Sequence, residues 1–260
     1  MLKFYKYQGA GNDFILFDNR ERVFPMLDRE NNILKLCDRR FGIGADGVML
    51  LENSGTSDFK MIYYNSDGKE GSMCGNGGRC IVSFANDLGI IDHKTTFMAV
   101  DGLHDAFYHS PLNVELHMKD VTKVDVSNDY AVLDTGSPHY VKFVNDVGKV
   151  KVFAEGREIR NSPEFVDKGI NVNFVQKEDD HLIVYTYERG VEAETLACGT
   201  GVTASVIAFN EHQYQKNEDS VEVYVKGGKL KVNFKKVGQV YTDIWLIGPA
   251  IKVFEGVIEI

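Results

Sequence analysis

Short apolar runs of strand type dominate this chain. Phe4-Tyr5-Lys6-Tyr7, Val48-Met49-Leu50-Leu51, Phe59-Lys60-Met61-Ile62-Tyr63-Tyr64 and Leu182-Ile183-Val184-Tyr185-Thr186-Tyr187 are rich in β-branched and aromatic residues and are bounded by Gly, Asp or Asn. That pattern predicts strands. Helix-type spacing is rarer and predicts helices over residues 31–40, 77–86 and 201–212.

The last two helices belong to a repeat. Glu70-Gly71-Ser72-Met73-Cys74-Gly75-Asn76-Gly77 and Glu194-Thr195-Leu196-Ala197-Cys198-Gly199-Thr200-Gly201 lie 124 residues apart, and Tyr63 pairs with Tyr187 at the same offset. Beyond each predicted helix comes a hairpin pattern: Thr95-Thr96-Phe97-Met98-Ala99-Val100 with a Gly turn, then Val221-Glu222-Val223-Tyr224-Val225 with Gly227-Gly228. Strand, thiol turn, helix and hairpin therefore occur twice, which predicts two similar halves joined near residues 118–130. Each half would set a thiol at a helix N-terminus, where unpaired N–H groups and the helix dipole favour the thiolate. Two such thiols facing each other would be a proton donor and a proton acceptor for one carbon atom.

Composition narrows the function classes. The 260 residues are enough for one large or two modest domains. A net charge of -9 and a pI near 5.3 argue against nucleic acid as partner. No apolar stretch reaches the roughly 20 residues of a membrane span, and Met1-Leu2-Lys3-Phe4-Tyr5-Lys6 has no signal-type apolar run. Four cysteines without a leader imply reduced thiols and a cytoplasmic location.

Other motifs read less sharply. Gly42-Ile43-Gly44-Ala45-Asp46-Gly47 fits a dinucleotide fingerprint by spelling. It follows a charged segment and leads into a strand rather than opening a helix, so a Gly-rich loop beside a site is the better reading. The seven His are scattered and Cys74-x5-Cys80 is poor metal spacing, so no metal is expected. Cys37 and Cys80 read as core residues. Asn12, Asn65 and His139 read alone as turn or loop residues, and Glu188-Arg189 as an exposed ion pair or as a clamp for an ammonium and a carboxylate.

Together, Gly9-Ala10-Gly11-Asn12-Asp13-Phe14, Met73-Cys74-Gly75-Asn76-Gly77-Gly78-Arg79, Glu188-Arg189-Gly190 and Ala197-Cys198-Gly199-Thr200-Gly201 resemble the diaminopimelate epimerase family, and the match runs to Val253-Phe254-Glu255-Gly256. The resemblance implies an α/β (α+β) fold of two pseudo-symmetric halves, each a β-barrel-like sheet around a central helix. The expected division is 1–118 plus 249–260, carrying Cys74, and 119–248, carrying Cys198. The implied activity is cofactor-independent epimerisation of LL-2,6-diaminopimelate to the meso form, by a cytoplasmic homodimer that needs no metal or organic cofactor.

Residue by residue, the resemblance makes Cys74 and Cys198 the catalytic thiols, with His139 and Glu188 beside them. Gly75, Asn76, Gly199 and Thr200 would hold the reacting carboxylate through backbone N–H groups. Asn12, Asn65, Asn171, Glu188 and Arg189 would bind the rest of the substrate. Three positions depart from the family pattern: Gly47 for a substrate-contacting Gln, Ser137 for a binding Asn, and Phe254 for a dimer-forming Tyr. Two other classes remain open at this point: another racemase or isomerase of the same fold, and a non-catalytic amino-acid-binding protein.

Overall fold

In the computed structural model, which describes residues 1–212 and 219–260, the chain packs as two compact units, Met1–Leu116 with Gly248–Ile260, and His117–Ile247.

Unit 1 begins with the antiparallel pair β1 (Leu2–Gly9) and β2 (Asn12–Asp18). Helix α1 (Arg29–Cys37) carries the chain to β3 (Gly47–Glu52), parallel to β2, and β3 turns back antiparallel into β4 (Phe59–Asn65). Helix α2 (Gly75–Asp87) then leads to β5 (Lys94–Ala99), parallel to β4, and the antiparallel strands β6 (Gly102–Ser110) and β7 (Asn113–Met118) follow. The final strand of the chain, Ile251–Ile258, returns to pair antiparallel with β1.

Unit 2 repeats this order. A short strand β8 (Val124–Val126) pairs with β9 (Tyr130–Asp134), and β9 pairs antiparallel with β10 (Pro138–Phe143). Helix α3 (Val152–Arg160) crosses to the parallel β11 (Asn171–Lys177), which pairs antiparallel with β12 (His181–Glu188). The short β13 (Ala193–Thr195) folds back on β12. Helix α4 (Gly199–His212) then precedes β14 (Ser220–Val225), parallel to β12. Antiparallel β15 (Gly228–Val237) and β16 (Val240–Gly248) complete the set. Each parallel pair needs a crossover, and in both units the helices supply them.

The two helix types differ in burial. Residues Gly75 to Ala85 of α2 are all buried, as are Gly199 and Gly201 to Phe209 of α4. A helix covered on every face is a core element, and strands of its own unit surround each one. The buried hydroxyls of Thr203 and Ser205 are satisfied within α4: Thr203 Oγ1 donates to Gly199 O at 3.1 Å and Ser205 Oγ to Gly201 O at 2.7 Å. By contrast α1 buries only Ile33, Leu36 and Cys37, in a cluster with Phe17, Phe24 and Val48.

Helix α3 buries only Val152 and Gly156. A Cβ at Gly156 would overlap the Tyr187 side chain, so glycine sets how closely α3 approaches β12. Helix boundaries move slightly from the sequence reading. Helices α2 and α4 start two residues earlier than predicted, immediately after each thiol, and α1 runs from 29 to 37 rather than 31 to 40. Both α3 and β8 were not foreseen.

Candidate active site

In unit 1 the thiol residue is the N-cap of α2. Cys74 has an extended backbone (φ −110°, ψ 126°), and its carbonyl accepts the first helical hydrogen bond from Gly78 N–H at 2.7 Å. Gly75 and Asn76 are the first helical residues, so their N–H groups have no intrahelical acceptor and point out of the helix end. The Cys74 thiol lies 3.5 Å from Asn12 Oδ1, and Asn76 Nδ2 donates to that same oxygen at 3.3 Å. Asn12 comes from the start of β2, so the β1–β2 turn is drawn to the helix terminus.

Unit 2 builds the same cap. Cys198 directly precedes α4 and accepts from Val202 N–H at 2.9 Å, and its sulfur lies 3.5 Å from Thr200 Oγ1. The Thr200 carbonyl accepts from Thr135 Oγ1 at 2.9 Å, which ties the helix start to the end of β9. A helix terminus of this kind favours an anion beside it.

A polar cluster gathers at one end of β10–β12. Asn171 Nδ2 donates to Ser137 Oγ at 2.8 Å and to Pro138 O at 3.1 Å, while its Oδ1 accepts from Arg189 N–H at 2.9 Å. Arg189 Nη2 reaches Ser137 Oγ at 3.4 Å and Nη1 donates to Lys168 O at 3.1 Å. Ser137, which departs from the family pattern, is thus joined to both Asn171 and Arg189. Glu188 is the half-buried last residue of β12 and accepts from Glu192 N–H at 2.8 Å. Asn65 stands exposed at the end of β4, where its backbone closes a turn with Gly68 and Lys69.

His139 is fully buried on β10, and burial, helped by the nearby Arg189 charge, lowers its pKa from 6.5 to about 3. Asn173 Nδ2 donates to His139 Nδ1 at 3.0 Å, so the ring proton sits on Nε2, which has no hydrogen-bond partner among the described residues. Asn173 Oδ1 accepts from Thr186 Oγ1 at 2.9 Å. The folded protein therefore holds this imidazole neutral at pH values where the unfolded chain protonates it. Because the unfolded state then binds more protons, stability must fall as pH drops from 6.5 towards 3. The expected loss from His139 between pH 6.5 and pH 5 is about 2 kcal/mol. Urea titrations at several pH values should show this slope in the native protein and a flatter one in His139→Gln.

Asn173 is a residue that sequence reading passed over. A signal was present: it lies two positions from Asn171 on β11 and so shares its sheet face. Position 173 also corresponds to Met49 at the repeat offset of 124. Both face a glycine in the first turn of a central helix. A Cβ on Gly77 would overlap the Met49 methyl, and a Cβ on Gly201 would overlap Asn173 Oδ1. The Met49 tip can swing aside, whereas Asn173 is pinned by His139, Tyr140 O and Thr186. Gly201→Ala is therefore expected to lose roughly 1–3 kcal/mol and Gly77→Ala less than about 1 kcal/mol, as read from urea midpoints.

The remaining thiols differ in kind. Cys37 and Cys80 are buried, and burial pushes both up to about 12, so neither is a nucleophile near neutral pH. Gly47 has a structural reason: a Cβ there would lie 2.5 Å from Tyr64 O and 2.6 Å from Tyr63 Cε2. The Tyr63 ring fills the space that a Gln side chain would take. The Gly42–Gly47 segment is a loop ending in β3, without a helix, so it is no dinucleotide fingerprint. Among the described residues there is no group of His, Cys, Asp and Glu suited to a metal ion, and no helix long and apolar enough to cross a membrane.

A sequence profile of diaminopimelate epimerase matches residues 4–103 and 131–253. The chain belongs to the diaminopimelate epimerase family. The diaminopimelate epimerase of Flavobacterium psychrophilum is 51% identical over 257 residues, which span 98% of this chain and 99% of that protein. That of Chlorobaculum tepidum is 42% identical, over 97% of this chain and 99% of the relative. Solved structures extend the fold beyond the family. A phenazine biosynthesis protein of the PhzF family from Bacillus anthracis superposes with a TM-score of 0.76 at 13% identity, covering 100% of this chain and 99% of that one. A hydroxyproline epimerase from Agrobacterium vitis, with bound trans-4-hydroxy-L-proline, gives 0.69 at 14% identity, covering 98% and 91%. These two likenesses concern the fold alone.

Proposed function

We propose that this chain interconverts LL-2,6-diaminopimelate and meso-diaminopimelate, with Cys74 and Cys198 as its two acid–base groups. One thiolate removes the α-hydrogen and becomes a thiol, leaving the electron pair on the α-carbon. The other thiol delivers its proton to the opposite face and becomes a thiolate. Protons and charge balance with the two sulfurs alone. Acid–base groups of this type each contribute about 10²–10⁴-fold. Stabilisation of the carbanion would come from the first-turn N–H groups of α2 and α4, with Gly75, Asn76, Gly199 and Thr200 holding the reacting carboxylate.

The single observation that carries this reading is the duplicated cap: each unit sets a cysteine immediately before a buried central helix. Membership of the family supplies the substrate. Asn12, Asn65, Asn171, Glu188 and Arg189 would bind the far amino-acid group and the ammonium. Buried, neutral His139 and half-buried Glu188 would sit beside the thiols as polar partners. The protein would act in the cytoplasm, where its thiols stay reduced. A homodimer fits the exposed apolar residues Val253, Phe254 and Val257 of the final strand, with apolar contact in place of the tyrosine hydroxyl. Chiral chromatography after incubation of the reduced protein with LL-diaminopimelate tests the reading. Accumulation of the meso isomer is expected, and its absence would leave an amino-acid-binding protein or an isomerase of another substrate.

A further inference from the structure

The geometry points to Asp46 and Arg79 as positioning residues: they are the two end stops of a hydrogen-bond chain that holds the proton on Cys74. The chain lies wholly within unit 1. Arg79 Nη2 donates to Asn76 Oδ1 at 3.0 Å, Asn76 Nδ2 donates to Asn12 Oδ1 at 3.3 Å, and Asn12 Nδ2 donates to Asp46 Oδ2 at 2.5 Å. A guanidinium can only donate and a carboxylate can only accept. Arg79 therefore turns the Asn76 oxygen towards itself, which leaves the Asn76 NH₂ for Asn12. Asp46 takes the NH₂ of Asn12, which leaves the Asn12 oxygen for Asn76 and for the Cys74 thiol at 3.5 Å. Both ends impose the same amide orientation, so neither Asn can flip without breaking a charge-assisted bond.

Both end stops are built in. Arg79 is fully buried and also donates to Gly75 O at 3.1 Å and Pro249 O at 3.4 Å. Asp46 closes the Gly42–Gly47 loop. Its carboxylate accepts from Arg39 Nη2 at 2.8 Å and from Asp13 N–H at 3.2 Å, and Arg39 grips Asp13 with both terminal nitrogens at 3.0 and 2.6 Å. Lys6 pairs with Asp13 at 2.7 Å. This gives the Gly-rich loop a task that its spelling did not suggest: it delivers Asp46 to Asn12.

The consequence concerns the sulfur. An amide oxygen accepts an S–H proton but repels a thiolate. In unit 2 a neighbour of Cys198 is the Thr200 hydroxyl, at the position that corresponds to Asn76, and a hydroxyl can donate to a thiolate as well as accept. These contacts differ in kind: the Asn12 oxygen favours the protonated Cys74, whereas the Thr200 hydroxyl can serve Cys198 in either state. Charged and titratable groups in unit 1 that bear on Cys74 include Arg79 and Cys80, and those that surround the far end of the chain at Asp46 include Arg39, Asp13 and Lys6. The Arg79 charge favours the thiolate, and it stays constant in the comparison that follows.

The inference rests on the reading of Cys74 as one of the two bases, but its test needs no substrate. The rate of iodoacetamide alkylation at Cys74, resolved by peptide mapping, would be followed against pH in native protein, Asp46→Ala and Asp46→Asn. The Asp46 side chain is 42% exposed, so neither substitution opens the core, and thermal melts check the fold. Asp46→Ala frees the Asn12 amide to turn its NH₂ towards sulfur. Alkylation of Cys74 near neutral pH should rise about tenfold, the equivalent of one pH unit in the profile. Asp46→Asn loses the same charge but keeps an acceptor oxygen, and its profile should stay close to the native one. An unchanged profile in Asp46→Ala would overturn the proposal. An equal rise in both variants would overturn it too, since charge alone would then be responsible. Conversion of diaminopimelate by native protein tests the epimerase reading separately.

Discussion

Cys74→Ala and Cys198→Ala are each expected to lose epimerisation by about 10³-fold or more while keeping the native fold. The size follows from the work asked of each thiol. A positioned acid or base contributes about 10²–10⁴-fold, and no other group in the proposed mechanism can take the proton on the face that has lost its sulfur. The fold should survive, because the caps of α2 and α4 are made by the backbone carbonyls of residues 74 and 198, which alanine retains. The two variants should not be wholly inert in the same way. Each keeps one thiol and should still exchange the α-hydrogen of the stereoisomer that presents it to the surviving sulfur. Chiral product analysis and proton exchange, measured on the same samples, separate the two effects. Full epimerisation by either variant would contradict the assignment.

Lysine is expected to be turned over at a kcat/KM about 10⁴-fold or more below that of diaminopimelate. Lysine lacks the second carboxylate, and the cluster of Ser137, Asn171 and Arg189 is linked by its own hydrogen bonds into one polar surface. A site made to hydrogen-bond a group rejects an analogue without it, because its polar atoms are left unpaired on binding. Arg189→Leu should narrow the gap by slowing diaminopimelate while leaving lysine near its low rate. Comparable kcat/KM values for the two substrates in the native enzyme would refute a role for this cluster in reading the distal carboxylate.

Much of the fold could be read because the repeat was written in residues whose physics is local. Cysteine followed by glycine and a buried apolar run marks a helix that begins at the thiol, and both α2 and α4 do so. The strands before and after them carry the expected β-branched and aromatic residues. The crossover helices were harder. Helix α1 was visible only approximately, and α3 was invisible because Gly156 interrupts it and its packing is set by contact with Tyr187, a residue distant in sequence. The β8 strand has three residues, half-buried or exposed, in what reads as a linker.

The same division applies to the site. The helix starts inside the thiol motifs were legible, because a helix terminus is a local event. Asp46, Arg39, Arg79, Asn173 and Thr186 act through partners between 3 and 170 residues away, and their spelling gives no hint of those partners. His139 reads as a loop residue, yet the parallel pairing of β10 with β11 buries it completely and sets it against Asn173. Burial and amide orientation are products of the assembled sheet. No window of sequence contains them.

The central claim is that one thiol takes the α-hydrogen and a different thiol returns a proton from the other side. The most direct measurement is the isotope content of both isomers at early times, when LL-diaminopimelate is incubated with the reduced enzyme in deuterated water. With two bases, the proton delivered to product comes from the second thiol, which has already exchanged with solvent. The meso product should therefore carry deuterium at its inverted α-carbon from the first turnover, while recovered LL substrate stays unlabelled. Product that retains the original hydrogen, or substrate that gains label before product appears, would mean that a single base serves both faces.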